Sequence, residues 1–443
     1  MGFLFSKRFM PLFIAQFFGA VNDNFLKNAM LIMVTYQLGK TESQIGGISN
    51  LAAGLFILPY FLFSSLAGQL ADKFDKAPFC RLIKLWEVFL MIAAWAGFAF
   101  QNLPFLMMIL FFMGAQSTFF SPAKYALLPT HLKEDELLAG NVWIGGGTYL
   151  AILCGVISGG LVITLPCGGL FCGILLTAMA VIGYLAALKI PAAPPVCREK
   201  LDWNIFRQTW RIMVVDVWRD PVIRRCVYSV TVFWLAGSLY ITQMPLFTKL
   251  KLGGNEMICT SFFVLFSVGV GIGAGISNWL LRGSVKLTKS YICCIAGMGV
   301  FTLDIAYLAM TLPAQPHLIA TQELLKTFLF YRVAFDLLMT AICGGIWSVP
   351  LQALMQKSAP KEILSRVIAG NNIANSFYMA TGAIVSAIFL KLGIGVGWIF
   401  TGIAAAVFIA AWFTIPLTNQ SRLQIENGQE RMKTDENGQS ICW

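Results

Sequence analysis

Apolar residues run along this chain in twelve blocks, separated by short polar breaks. They fall at about 9–37, 45–71, 79–100, 103–121, 137–165, 168–190, 222–249, 256–281, 290–312, 330–356, 363–391 and 396–417. A helix rises 1.5 Å per residue, so about 20 residues span a hydrocarbon core of about 30 Å. The pattern therefore predicts an all-α integral membrane protein with twelve transmembrane helices. The longest break, 191–221, divides the blocks six and six. It sets the expected organisation: a six-helix bundle over 1–190, a linker over 191–221, a second six-helix bundle over 222–418 and a polar tail over 419–443. That tail is rich in Asn, Gln, Glu and Lys and reads as disordered.

The first block departs from the rest. Asp23 and Lys27 lie near its middle, flanked by Asn22, Asn24 and Asn28. A charge at the centre of a membrane helix costs about 2.5–3.5 kcal/mol on insertion scales, so such residues mark pathways and sites. Four residues apart, Asp23 and Lys27 share a face and are expected to pair. Gln16, Gly19 and Ala20 extend that face, and Asn24 and Asn28 make a second polar stripe beside it. A salt bridge that only locks the helix is the plainer alternative to a polar site on a cavity wall.

Composition agrees with the blocks: 58% of residues are apolar, only 12% are charged, and Phe contributes 36 residues. The eleven cysteines are scattered, mostly within apolar runs, and read as small buried residues rather than a disulfide frame or metal site. Only two histidines occur, His131 and His317, both expected in loops. No metal, cofactor or catalytic centre is expected. An acyltransferase is disfavoured because no Asp follows either histidine at the H-x-x-x-x-D spacing. The N-terminal run is not expected to be a cleavable signal, because it is full length and no small-residue cleavage site follows. The net charge of +11 reads as basic cytoplasmic loops, not as nucleic-acid binding. With the N-terminus inside, 25 of the 32 basic residues fall on cytoplasmic segments and six outside, leaving Lys27 in the membrane. Both termini are therefore expected in the cytoplasm. Within the linker, Asp202 can cap a helix with Trp203, Phe206, Trp210, Met213 and Val217 on one side and Arg207 and Arg211 on the other. That is an interfacial amphipathic helix.

The halves repeat faintly. Leu137-Leu-Ala-Gly-Asn141 opens the fifth block and Val367-Ile-Ala-Gly-Asn371 the eleventh, 230 residues on. Duplicated, pseudo-symmetric six-helix halves fit a transporter with its site between them. Gly68-Gln-Leu-Ala-Asp72-Lys73-Phe-Asp75-Lys76 matches the G-x-L-a-D-r-x-G-r loop of the major facilitator superfamily, with Asp75 in place of the second glycine. In that reading Gly68 lets helices approach, and Asp72, with Lys73 and Lys76 nearby, latches the cytoplasmic side. Gly155-Val-Ile-Ser-Gly-Gly160 is similar to the G-P-x-x-G-G motif of drug antiporters, but Val156 replaces its proline. Its glycines read as close helix packing.

Four further stretches, Phe18–Asn24, Ser121-Pro-Ala-Lys-Tyr125, Val349-Pro-Leu-Gln-Ala-Leu354 and Ala369-Gly-Asn371, together resemble the lysophospholipid transporter (LplT) family. They are most similar to its acyltransferase-fused form, although this chain ends after its twelfth block. The resemblance implies a major facilitator fold and transport of lysophosphatidylethanolamine-like lipids across a bacterial inner membrane. It also implies a membrane acyltransferase or acyl-ligase acting on the delivered lipid, and a monomer in the bilayer. Stand-alone members tend to carry a basic residue in the seventh span, where this chain has only Gln243 as a strong polar group. Lys27 or Lys124 could take the phosphate and Asp23 the ammonium, with Asn24, Asn28, Tyr125, Gln243, Gln352 and Asn371 completing the substrate site. Phe- and Met-rich spans such as 105–120 suit the acyl chain. Lys124 also reads as a juxtamembrane positive-inside lysine. Glu87 is expected to pair with Lys84, and Arg332 with Asp336. Asp304, without an obvious local partner, is the candidate proton-binding acid. The alternative functions are a proton-coupled transporter of an amphipathic drug or siderophore and, in another class, a membrane receptor or scaffold.

Overall fold

In the computed structural model, residues 3–36, 42–195, 204–280, 289–315, 317 and 319–430 are described. They form fourteen α-helices: α1 (Met10–Tyr36), α2 (Glu42–Lys73), α3 (Lys76–Ala99), α4 (Leu103–His131), α5 (Leu137–Ile163), α6 (Gly168–Ala187), α7 (Ile205–Arg211), α8 (Pro221–Leu252), α9 (Glu256–Leu280), α10 (Lys289–Thr311), α11 (Thr321–Leu324), α12 (Phe328–Ser358), α13 (Leu364–Lys391) and α14 (Val396–Glu430). Apart from the short α7 and α11, these are the twelve expected spans. Eleven contain a stretch long and apolar enough to cross a membrane. The twelfth, α1, has the length, at 27 residues, but its polar centre lowers its mean hydropathy. The last helix runs past Thr418 to Glu430, and the rest of the tail lies outside the described residues.

The helix pairings repeat between the halves. In the first, α1 packs on α5 and α6, α2 on α4, and α3 on α6. In the second, α8 packs on α13 and α14, α9 on α12, and α10 on α14. The halves meet through α2 against α13 and α5 against α9, two contacts that exchange when the halves are swapped. This is the pseudo-twofold arrangement that the repeated Leu-Ala-Gly-Asn and Ile-Ala-Gly-Asn segments imply.

Glycine sets the closest approach. A Cβ at Gly155 would lie 2.5 Å from the Val21 carbonyl oxygen, and one at Gly159 would lie 2.6 Å from that of Phe25. The α5 stripe read as packing glycines is thus the seat of α1. Backbone cannot retreat as a side-chain tip can, so Gly159→Leu should destabilise the bundle by about 1–3 kcal/mol or more. Its melting temperature in detergent should fall well below that of a Gly146→Ala control, whose Cβ would meet no atom within 4 Å.

Two expectations about helix ends need correction. The fourth span does not stop at Ser121: α4 continues through Pro122 and Pro129 to His131, which therefore ends a helix rather than sitting in a loop. Each proline removes one N–H donor, but Ala123, Ala126, Leu127 and Leu128 are buried around them and hold the helix together. Lys124 and Tyr125 consequently stand on a helix wall. The third span begins at Lys76, not Phe79, because Asp75 caps it: its carboxylate accepts from Ala77 N at 2.9 Å and from Ala193 N at 3.0 Å. Asp75 replaces the motif glycine with a helix cap that also ties down the start of the linker.

In the linker, Asp202 and Trp203 lie outside the described residues. Helix α7 leads into a π-helical turn at Ile212–Val217. Phe206 and Trp210 are exposed, whereas Ile212 and Val217 pack against Gly370 of α13. The linker therefore divides its apolar residues between an outward face and the second half.

Candidate functional site: a polar cavity between the halves

A cavity of about 280 Å³ lies between the halves. Helix α1 supplies Gln16, Gly19 and Asp23. Helix α4 supplies Gln116, Ser117 and Lys124, and α3 supplies Lys84. From the second half come Trp234, Gln352, Asn371 and Asn375, and Phe56, Tyr60, Phe120 and Met379 add apolar wall. Charged and amide groups therefore share the wall with aromatic rings: the Lys84 ammonium lies 4.4 Å from the centre of Phe120 and that of Lys124 4.6 Å from the centre of Tyr125.

Of the residues singled out in the sequence, Asp23, Lys124, Tyr125, Gln352 and Asn371 line this cavity. Asn24, Lys27, Asn28 and Gln243 are not among its lining residues. The Asn24 amide donates to the Ala20 carbonyl of its own helix at 2.8 Å, and that of Asn28 donates to the Val156 carbonyl of α5 at 2.7 Å. Gln243 is buried in α8 and donates to Thr242 Oγ1 at 3.3 Å.

The expected ion pair between Asp23 and Lys27 is not formed. Asp23 Oδ2 accepts from Ser117 Oγ at 2.8 Å, and the Lys27 ammonium lies 5.3 Å from the centre of the Phe56 ring. One helical turn fixes a shared face but not a shared partner. Here α4 reaches the first group and α2 the second. Asp23 Oδ1 is buried without a hydrogen-bond partner among the described residues.

Pairing of Lys84 with Glu87 is as expected, at 2.6 Å. Its setting is not, because Lys84 lies in the cavity wall with its side chain 2% exposed. Glu87 also accepts from Asn22 Nδ2 at 2.9 Å and Gln116 Nε2 at 3.1 Å. In the sequence Lys84 counted among the cytoplasmic basic residues at the end of the third block, paired locally with Glu87. Glu87, three residues on inside the apolar run, gave the pair but not its place in the cavity wall. Gln116, Ser117, Trp234 and Asn375 were missed; Asn375, one helical turn beyond Asn371, carried a signal in its spacing.

Arg332 is corrected too. Its guanidinium grips Asp304 with two hydrogen bonds, at 2.8 and 2.6 Å. The partner sits 28 residues away on α10, beyond the reach of any local pattern. Asp304 is thus a paired carboxylate. Asp336, the expected partner, is buried nearby.

The halves are fastened on the side of the cavity where α1 begins and α14 ends, here the terminal face. Asp72, 1% exposed at the end of α2, accepts from the backbone N–H of Ser365 at 3.1 Å and of Arg366 at 3.3 Å. Those donors belong to the first turn of α13, whose free N–H groups and dipole favour an anion. The Arg366 guanidinium adds an ion pair at 3.5 Å. A Cβ at Gly68 would lie 2.8 Å from that of Ala369, so the glycine lets α2 sit close enough for this contact. Lys76 is buried nearby, whereas Lys73 is only partly buried. Deeper, Asn141 and Gln356 exchange two amide hydrogen bonds, at 3.1 and 2.9 Å, joining α5 to α12. Asn141→Leu would leave the Gln356 amide buried and unpaired, at a cost of about 1–3 kcal/mol. Its melting temperature should drop clearly, while Asn141→Leu with Gln356→Leu should recover most of the loss.

Two glutamates in the loop before α5 form ion pairs on this face: Glu134 with the second half, Glu136 within the first. Glu134 pairs with Lys357, and that hydrogen bond holds its carboxyl below the usual value. Glu136 is lowered chiefly by the Lys133 backbone N–H, with help from Arg8, its ion-pair partner at 3.3 Å. With folded values depressed, their contribution is complete above the ordinary carboxylate range and is lost as pH falls through the depressed values. Accessibility of the terminal face should therefore stay constant from about pH 6 to 8 and rise only in acid below about pH 4. Glu134 is exposed and Glu136 pairs with a largely exposed Arg8, so the change should be small.

The Major Facilitator Superfamily profile matches residues 12–321. Among curated proteins, the lysophospholipid transporter LplT of Escherichia fergusonii is 26% identical over 420 residues, covering 92% of this chain and 96% of that protein. LplT of Photorhabdus laumondii is 27% identical over 421 residues, with 93% and 95% covered. Among solved structures, a bacterial homologue of the iron transporter ferroportin in an outward-facing state superposes with a TM-score of 0.69 at 16% identity, covering 94% of this chain and all of that one. The human organic anion transporter MFSD10 gives 0.68 at 14% identity, over 91% and 99%. These likenesses establish the shared fold.

Proposed function

Because the chain belongs to the Major Facilitator Superfamily, we propose that its central cavity carries lysophospholipids across a bacterial inner membrane by alternating access. The substrate class comes from the LplT relatives, which align over nearly their whole length. The observation that carries it is the cavity itself, whose wall combines an acid, two cations and amides with aromatic rings. A zwitterionic headgroup on a single acyl chain calls for that same combination of groups. Asp23 takes the headgroup ammonium, the cavity lysines take the phosphate, and Gln352 and Asn371 complete the hydrogen bonds from the second half. The reading is of a carrier without catalytic chemistry of its own, delivering substrate to a membrane acyltransferase or acyl-ligase.

In this reading both termini are cytoplasmic, as the basic-residue bias suggests. The contacts of Asp72, Asn141 and Glu134 then close the cytoplasmic side, and the cavity loads from the other. Rocking the halves would open that latch and release lipid toward the cytoplasmic leaflet. A cysteine probe at Gln315 should be labelled from outside and one at Asn427 should not; equal labelling would remove the topology.

The function is tested by uptake of labelled lysophosphatidylethanolamine into spheroplasts lacking their own transporter. Uptake that depends on this chain, and is competed by unlabelled lysolipid, is expected. A chain that inserts and folds but restores no uptake would defeat the proposal.

A further inference from the structure

We propose that Lys84 is the phosphate ligand of the cavity, and that substrate takes it from Glu87 on binding; the inference rests on the lysophospholipid reading above.

Lys84 stands on α3 with its ammonium 2.6 Å from Glu87 Oε2 and 4.4 Å from the centre of the Phe120 ring. An ammonium has three donors, and the contact with Glu87 takes one of them. The group borders the cavity that Asp23 and Lys124 also line. Opposite it on α1 is Gly19, where a Cβ would collide with the Lys84 ammonium. Helix α1 thus leaves room for the charge one turn before Asp23. A lysine that merely neutralised Glu87 would not need to border the cavity.

Glu87 is the second half of the argument. It has more donors than a bridged carboxylate needs. Its Oε1 accepts from Asn22, and its Oε2 from both Gln116 and Lys84. If Lys84 turns to a phosphate, each oxygen keeps one neutral amide donor. Stranding a buried carboxylate is normally costly, and this arrangement limits that cost. The exchange also conserves charge at the lysine: it leaves one anion for another. With the cavity empty, Glu87 keeps the ammonium stable in the protein interior. With substrate present, two anions compete for it. Lys27 is not placed for this, lying over Phe56, whereas Lys124 borders the same space as a second cation.

The pairing predicts opposite effects from its two members. Removing Lys84 should weaken phosphate binding, and neutralising Glu87 should strengthen it by ending the competition. A structural bridge would make both substitutions damaging in the same direction.

The test measures binding to the purified full chain in detergent. The probes are lysophosphatidylethanolamine and a phosphate-free monoacylglycerol of the same acyl chain. The unaltered protein should prefer the lysolipid. Glu87→Gln should raise lysolipid affinity several-fold and leave monoacylglycerol unchanged. Lys84→Gln should reduce the preference at least tenfold. If Lys84→Gln melts early because Glu87 is stranded, Lys84→Gln with Glu87→Gln keeps a neutral amide network and should lack the preference equally. A folded single or double variant that keeps the full preference overturns the role of Lys84. So does a Glu87→Gln variant whose affinities for both probes fall together. If the unaltered protein itself shows no preference for the lysolipid, the lysophospholipid reading fails first and the role of Lys84 with it. A failure confined to the variants leaves that reading standing.

Discussion

Asp72→Asn is expected to cut lysolipid uptake at least tenfold while leaving equilibrium binding within about threefold of the unaltered protein, tenfold being about 1.4 kcal/mol. The carboxylate is buried and holds the first turn of α13 across the boundary between the halves. Asparagine keeps the shape and one acceptor oxygen. It loses the charge that answers the helix N-terminus and the Arg366 guanidinium. Arg366 is itself only 4% exposed, so its buried charge loses this carboxylate. Breaking a buried pair by removing one member costs about 3–5 kcal/mol, some of which relaxation recovers. A loss of even 1.4 kcal/mol shifts a two-state equilibrium tenfold away from the closed terminal face. The cavity residues are untouched, so binding should persist and turnover should fail. Uptake and detergent binding are measured on the same preparation, with a cysteine probe at the terminal face to register opening. Normal uptake, or lost affinity with normal turnover, would show that Asp72 is not the latch.

One side of the Asp72 contact was legible because Gly68 and Asp72 sit one helical turn apart in a recognisable motif; its partners Ser365 and Arg366, on α13, were not. The two-half fold was legible from the twelve blocks and from the Asn141 and Asn371 repeat. What the repeat could not show is that the equivalent asparagines do different work. Asn141 is tied to Gln356, whereas Asn371 faces the cavity. That difference belongs to the partner helices and not to the repeated segment. The same limit explains Asp23 and Lys27. Periodicity places both on one face, but the neighbours that claim each charge, Ser117 and Phe56, come from helices folded back beside α1. Lys84 was hidden by charge density. It follows Lys73, Lys76 and Arg81 closely enough to count with the cytoplasmic charge, although the helix that starts at the Asp75 cap carries it into the wall.

Asp23→Asn should abolish most uptake of lysophosphatidylethanolamine and spare that of lysophosphatidylglycerol, whose headgroup has no ammonium. Had Asp23 been bridged to Lys27, removing it would have stranded a charge and made lost activity ambiguous. The geometry removes that ambiguity. Asparagine can still accept from Ser117, and Lys27 keeps its place over the Phe56 ring, a cation–π contact worth about 0.5–2 kcal/mol. Deleting a buried charge that has one hydrogen-bonding partner should leave the melting temperature unchanged or slightly higher. The loss should therefore be specific to a cationic headgroup: at least tenfold for the ethanolamine lipid, if the ammonium contributes the 1.5–3 kcal/mol typical of a hydrogen bond to a charged group, roughly. The charge swap Asp23→Lys with Lys27→Asp should fail with both lipids. It sets an ammonium in the place of Asp23 and a carboxylate against the electron-rich face of Phe56, so no pair is restored. Parallel uptake assays with the two lipids, alongside melting in detergent, separate the outcomes. A folded Asp23→Asn protein that moves both lipids normally would leave the ammonium to be read elsewhere in the cavity. One that loses both equally would make Asp23 a structural residue of α1 and α4.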